Sequence, residues 1–316
     1  MIKHQPYPHT LYDPRLEQDS CGVGFIARPS KNPSRDIVEM GLQAVVNLAH
    51  RGALDADAKT GDGAGIQTQI PQSFFAQEAN KLGVQLTGSE DLAVGVVFCP
   101  SNTNLEKQSH QIIERCCSAR GIKILAWRKV PTDSSCLGEK ALSTIPSIWQ
   151  IIIVPAANLS DESYERTLYI VRKEIESALK EANIEDCYIP SLSHRTLVYK
   201  GMLVARQLGD FYPDLHDGLF KSSIALIHQR YSTNTFPTWS LAQPFRMLAH
   251  NGEINTLQGN INWMRARESD LSSSVWGSDI ENINPIVDPT GSDSAVLDNV
   301  LEALVMSGRN PFHSML

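Results

Sequence analysis

Short, strongly apolar runs and longer amphipathic ones follow each other along this chain in no strict strand–helix–strand order, and that irregularity limits the fold most. Residues 92–98, 122–127, 149–154, 195–199 and 224–228 read as strands, because their apolar residues are continuous or alternate. CGVGFIA, from Cys21 to Ala27, reads as one more, with glycines that allow close packing. Residues 161–179 form the clearest helix. Ser160 stands as its cap, Asp161 and Glu162 lie in its first turn, and Leu168, Val171, Ile175 and Ala178 line one face. Residues 36–50 repeat the pattern after a capping Ser34, with Ile37, Ala44, Val45 and Leu48 at helical spacing. Gly61, Gly63 and Gly65 make a loop before an alternating strand at 66–70; 245–249 reads as a short strand and 254–267 as a helix. A doubly wound parallel sheet needs regular alternation, so the pattern predicts a layered α+β architecture. No repeat, low-complexity tract or linker interrupts it.

Composition narrows the function classes. With 42% hydrophobic and 20% charged residues over 316 positions, the chain has the means to bury a sizeable core and is not disordered. A net charge of −7 argues against sequence-independent nucleic-acid binding, which needs cations on phosphates. No apolar run approaches the roughly 20 residues that span a bilayer. Residues 1–20 hold three prolines, show no periodicity and read as an irregular leader. They lack the apolar stretch of a secretory signal, and Asp13, Glu17 and Asp19 are unlike a transit peptide. The six cysteines (Cys21, Cys99, Cys116, Cys117, Cys136, Cys187) read as free thiols of a reducing compartment, the cytoplasm or, in a photosynthetic eukaryote, the plastid stroma. They have neither zinc-site nor cluster-ligand spacing, and no metal site is expected.

Five segments could carry chemistry. Cys21 alone looks like a small buried hydrophobe. Placed directly after a dispensable leader, it would become residue one, with its thiol beside its own α-amine as general base. GDGAGI (61–66) has neither the Lys-Ser/Thr of a phosphate loop nor G-x-G-x-x-G spacing, so its glycines signal close backbone approach. HQRYSTNTFPTW (228–239) opens from a strand into a polar loop, where the Arg230 guanidinium fork would suit a carboxylate. HNGEINT (250–256) is either a plain Asn-Gly turn or an oxyanion hole built from the Asn251 side-chain amide and the Gly252 N–H. GSDSAVLDN (291–299) starts a helix, with Ser292 or Asp293 as cap, or with Asp293 as the partner of a substrate ammonium. His228 and His250 are isolated and read as structural.

Taken in order, CGVGFIA, HRGA (50–53), GDGAGI, SHRTLVYKGML (193–203), HQRYSTNTFPTW, HNGEINTLQGN and GSDSAVLDN resemble the amidotransferase domain of glutamate synthase large subunits. That domain is a class II glutamine amidotransferase, an N-terminal-nucleophile (Ntn) hydrolase. VYKG and FPTW set it apart from the glucosamine-phosphate and purine-pathway amidotransferases. The resemblance implies a four-layer αββα sandwich for residues 21–316 and a removable leader at 1–20, and it implies that the domain continues beyond Leu316 with further core strands. It also implies roles. Cys21 matches the nucleophile and Arg230 the holder of the glutamine α-carboxylate. Asn251 and Gly252 match the oxyanion hole, and Asp293 the holder of the α-amine. Tyr231 and Thr233 lie in the same pocket-forming segment.

In the family the released ammonia passes to a synthase region with FMN and an iron–sulfur cluster, where it aminates 2-oxoglutarate. That region is not in this sequence, so no cofactor is expected here and a synthase domain or separate subunit is the implied partner. Whether the electron donor is ferredoxin or a nicotinamide cofactor stays open. Two other readings stand beside this one: a non-catalytic fragment serving as an interaction module, and an Ntn hydrolase of another amide, against which the pairing of Arg230 with Asp293 argues.

Overall fold

The computed structural model describes residues 22–57, 59–86, 92–155, 159–230 and 236–316. The leader, Cys21, Tyr231 and Thr233 lie outside these residues. Eight strands are described: β1 (Val23–Ala27), β2 (Ala64–Gln69), β3 (Ala93–Cys99), β4 (Ile122–Lys129), β5 (Ser147–Pro155), β6 (Tyr188–Ser193), β7 (Thr196–Gly201) and β8 (Ile224–Gln229). Helices α1 (Arg35–Asn47), α2 (Gln72–Lys81), α3 (Thr103–Ala119), α4 (Glu139–Ser143), α5 (Asp161–Glu181), α6 (Gln207–Phe211), α7 (Leu257–Glu268), α8 (Asp293–Met306) and α9 (Pro311–Met315) surround them.

The strands make two four-stranded sheets, ordered β1-β8-β2-β7 and β4-β5-β3-β6. Every described pairing is antiparallel. The alternation in β3 shows why these runs become strands covered on both sides. Val94, Val96 and Phe98 join the larger core, which also holds Leu197 and Tyr199 of the first sheet. Ala93, Val97 and Cys99 point the other way, into a second core with Ile113 and Cys117 of α3 and Leu168, Val171 and Ile175 of α5. On the opposite side, α1 lies against the first sheet. A methyl on its Gly41 would come 2.9 Å from the Ala225 Cβ and 3.1 Å from Ile66. Helix, sheet, sheet and helix follow one another, the α+β sandwich that the sequence predicts.

The strands expected at 92–98, 122–127, 149–154, 195–199 and 224–228 are present within a few residues of those bounds. Ser160 caps α5 by accepting from the Ser163 N–H. Ser34 occupies the cap position of α1 but makes no side-chain cap bond, and that helix stops at Asn47, with 49–51 forming a separate tight turn. The expected strand at 245–249 is absent. Its backbone N–H groups at Arg246, Met247 and Leu248 go to one carboxylate, Asp298, at 3.3, 2.8 and 3.1 Å, so no neighbouring strand is engaged. The helix expected from 254 starts at Leu257.

Candidate active site

The site is assembled at the end of β8, where the first sheet meets the loop that runs into α7. Gly22, the residue after Cys21, accepts from the Gln229 N–H at 2.7 Å, extending the β1–β8 register by one residue. A side chain there would fall 2.7 Å from the Gln229 carbonyl and 3.2 Å from Asn251 Oδ1, so glycine is required by space. Asn251 is thereby placed one residue from the sequence position of the expected nucleophile.

Arg230 follows β8 directly and is half-buried. Its φ of 149° is one that L side chains rarely adopt, and the conformation is held by its N–H donating to the Gly63 carbonyl at 2.9 Å. Asp62 lies next to that contact. Burial pushes its carboxyl up to about 6, against the pull of the Arg230 charge. The GDGAGI segment thus acts through close backbone approach, as its glycines suggest. At Gly65 a side chain would come within 2.7 Å of Lys200 Cβ.

Asp293 is 1% exposed. The cap of α8 is Ser292, whose hydroxyl accepts from the Ala295 N–H, so Asp293 is left with other work. Its Oδ2 accepts from the Ile254 N–H at 2.8 Å and Oδ1 from the Ser294 N–H at 2.7 Å. The Ser294 hydroxyl lies 3.0 Å from His250 Nδ1. The 250–256 loop is therefore docked on the N-terminus of α8 at two points. A third attachment ties it to β8: His228 Nε2 donates to the His250 carbonyl at 3.2 Å. His228 is fully buried, and desolvation pushes it down to about 4, so it is neutral at pH 7.

The elements that carry Arg230, Asn251, Gly252 and Asp293 are thus joined by direct hydrogen bonds. Cys21, Tyr231 and Thr233 lie outside the described residues. Sequence reasoning missed Gln243 and Asp298, which brace the loop. Gln243 grips His250 twice, donating to its carbonyl at 3.0 Å and accepting from its N–H at 2.8 Å. Asp298 lay within a motif already singled out, whereas Gln243 carried no signal. VYKG and FPTW touch: a side chain at Gly201 would run into the Trp239 ring, and buried Lys200 donates to the Ser240 carbonyl at 2.7 Å. Desolvation holds that lysine well below its ordinary pKa. Among the described residues no three His, Cys, Asp or Glu side chains converge as metal ligands.

The family description "Glutamine amidotransferases class-II" matches residues 21–316. The chain is 49% identical over 299 residues to the glutamate synthase [NADPH] large chain of Azospirillum brasilense, a match covering 94% of this chain and 20% of that protein. It is 45% identical to the chloroplastic ferredoxin-dependent glutamate synthase of Oryza sativa, covering 95% and 19%. Against glutamate synthase [NADH] of Saccharomyces cerevisiae the identity is 44%, with 96% and 14% covered. The chain spans a fifth or less of the length of these relatives. With an identity this high over nearly its whole length, and the family match running from Cys21 to Leu316, the chain belongs to the class II glutamine amidotransferases.

Proposed function

We propose that this chain hydrolyses L-glutamine to L-glutamate and ammonia, with Cys21 as an N-terminal nucleophile once residues 1–20 are removed. The observation that carries this reading is the docking of the Asn251-Gly252 loop between Gly22, β8 and the buried Asp293. The family match beginning at Cys21 supports it. Glutamine is a zwitterion. The Arg230 fork would hold its carboxylate and Asp293 its ammonium, with Tyr231 and Thr233 completing the pocket. The Cys21 thiolate attacks the side-chain amide carbon while the α-amine carries the thiol proton to the leaving nitrogen. The Asn251 amide and the Gly252 N–H donate to the oxyanion. Ammonia leaves, and water then cleaves the thioester to give glutamate.

The ammonia would feed glutamate formation from 2-oxoglutarate in a synthase domain or subunit, which would make the whole enzyme an oxidoreductase. FMN and an iron–sulfur cluster belong to that region. Of the described cysteines, Cys99, Cys116 and Cys117 belong to the second core, Cys187 packs against it and Cys136 packs against the larger one. No described helix is long and apolar enough to cross a membrane. The cytoplasm, or the plastid stroma in a photosynthetic eukaryote, is the compartment proposed. No observation favours the interaction-module reading.

Incubating the leader-free protein with glutamine should release equimolar glutamate and ammonia, and Cys21→Ala should abolish both. Intact-mass measurement should find Cys21 at the mature N-terminus. Turnover in the alanine variant, or in a protein that retains Met1, overturns the mechanism.

A further inference from the structure

The segment that leads into Asn251 and Gly252 is fixed with unusual completeness for a loop. The Phe245 N–H donates to the Leu248 carbonyl at 2.9 Å. The next three N–H groups, of Arg246, Met247 and Leu248, converge on the buried Asp298 carboxylate. The Arg246 carbonyl accepts from Gln67 Nε2 at 2.7 Å. The Arg246 guanidinium reaches the Ile189 carbonyl of β6 at 2.8 Å and Glu176 of α5 at 3.2 Å. Two residues on, Gln243 takes both the N–H and the carbonyl of His250. Asp298 and Gln243 are each 1% exposed and spend their polar atoms on this backbone. Asn251 and Gly252 follow, half-buried and exposed, before the Ile254 N–H is taken by Asp293.

From this we infer that Asp298 and Gln243 are positioning residues for the oxyanion donors: they hold the stalk 245–250 rigid so that Asn251 and Gly252 are aimed before substrate arrives. Donors aimed in advance need no reorganisation when charge develops on the substrate oxygen. A displacement of about 1 Å can cost on the order of 10²-fold in rate. Three N–H donors facing one acceptor explain why a carboxylate is needed at 298. An asparagine there would turn its own NH2 toward donors. The inference rests on the glutamine-hydrolysis reading but predicts more than it.

The test compares Asp298→Asn and Gln243→Glu with the unaltered full chain, with Glu78→Gln as a control that weakens the ion pair between α2 and Arg128 of β4. Both positioning variants should lose kcat for glutamine by about 10–100-fold while KM stays within about threefold. The control should lower the melting temperature without that split. Amide hydrogen exchange, which needs no turnover, should quicken at residues 250–253 in both variants while α5 stays protected. Unchanged kcat and exchange in folded variants overturns the inference, as does a loss confined to KM. Failure of both variants to fold assigns the two residues to the core and overturns it too. If the unaltered chain does not turn over glutamine, the functional reading falls, and the exchange result alone decides this inference.

Discussion

On the proposed mechanism Asn251 and Arg230 would serve opposite ends of one substrate, and single substitutions should separate them. Removing an oxyanion donor costs about 2.7–4 kcal/mol of transition-state stabilisation. Asn251→Ala should therefore lower kcat by about 10²–10³-fold with KM little changed in steady-state glutaminase assays. Arg230→Lys keeps the charge and loses the planar fork. It should raise KM while leaving kcat within a few fold; an effect confined to kcat would remove Arg230 from carboxylate binding. His228 makes a prediction about pH. Its folded pKa is depressed, from 6.5 to about 4, because burial disfavours the cation. Between those values the unfolded chain binds more protons than the folded one. The stabilisation from a neutral His228 is complete above pH 6.5 and is lost as pH falls toward 4, roughly 3 kcal/mol in all. Urea midpoints measured from pH 7 to 4.5 should fall less steeply in His228→Gln than in the parent, and equal slopes would contradict the account.

At the scale of elements, α1 offers a case where two effects oppose. Alanine in place of a mid-helix glycine gains about 0.5–1 kcal/mol of helix propensity. At Gly41 the added methyl would sit 2.9 Å from Ala225 Cβ, with a strand backbone behind it that cannot yield. Overpacking of this kind costs about 1–3 kcal/mol and should win. Gly41→Ala is expected to lower the denaturation midpoint; a rise would mean that helix and sheet can separate freely. The strands were legible because a run buried on both sides shows an unbroken apolar signal, as in AVGVVFC of β3. The long helix α5 was legible because its cap and its one-sided apolar stripe agree. The segment 245–249 misled for a physical reason. FRMLA has strand-like composition, but its backbone donors are claimed by an acid about 50 residues further on. No local pattern announces such a long-range capture. The residues proposed as catalytic stood out in the sequence by their motifs, whereas Gln243, inferred to position them, sits in the unremarkable SLAQP.

Across the whole molecule, a buried polar bridge joins the two sheets. Arg128 of β4 forms a bidentate pair with Asp214, both bonds at 2.7 Å, and reaches Gln150 of β5 and Glu78 of α2. Tyr199 of β7, in the other sheet, donates to Asp214 at 2.7 Å and accepts from Gln150 at 2.8 Å. Removing one partner of such a pair leaves an uncompensated charge and costs about 3–5 kcal/mol, while replacing both by apolar residues is often neutral. Asp214→Ala should lower stability by that amount in chemical denaturation, and Arg128→Met with Asp214→Leu by clearly less. A double variant as unstable as the single one would show that the bridge fixes the sheets' registry.

The sheet orders carry one more consequence, for how the molecule comes into being. The central segment, β3 to β6, supplies one sheet entirely, but β1 and β2 must wait for β7 and β8, with Val23 paired to His228 about 200 residues later. A ribosome therefore releases a finished inner half while the outer half is still open, its first strand unpaired. The stretch around Asn251 emerges later still, and the carboxylates that fasten it come after that. If the proposed site is right, glutamine could be cleaved only by a chain whose synthesis has passed α8.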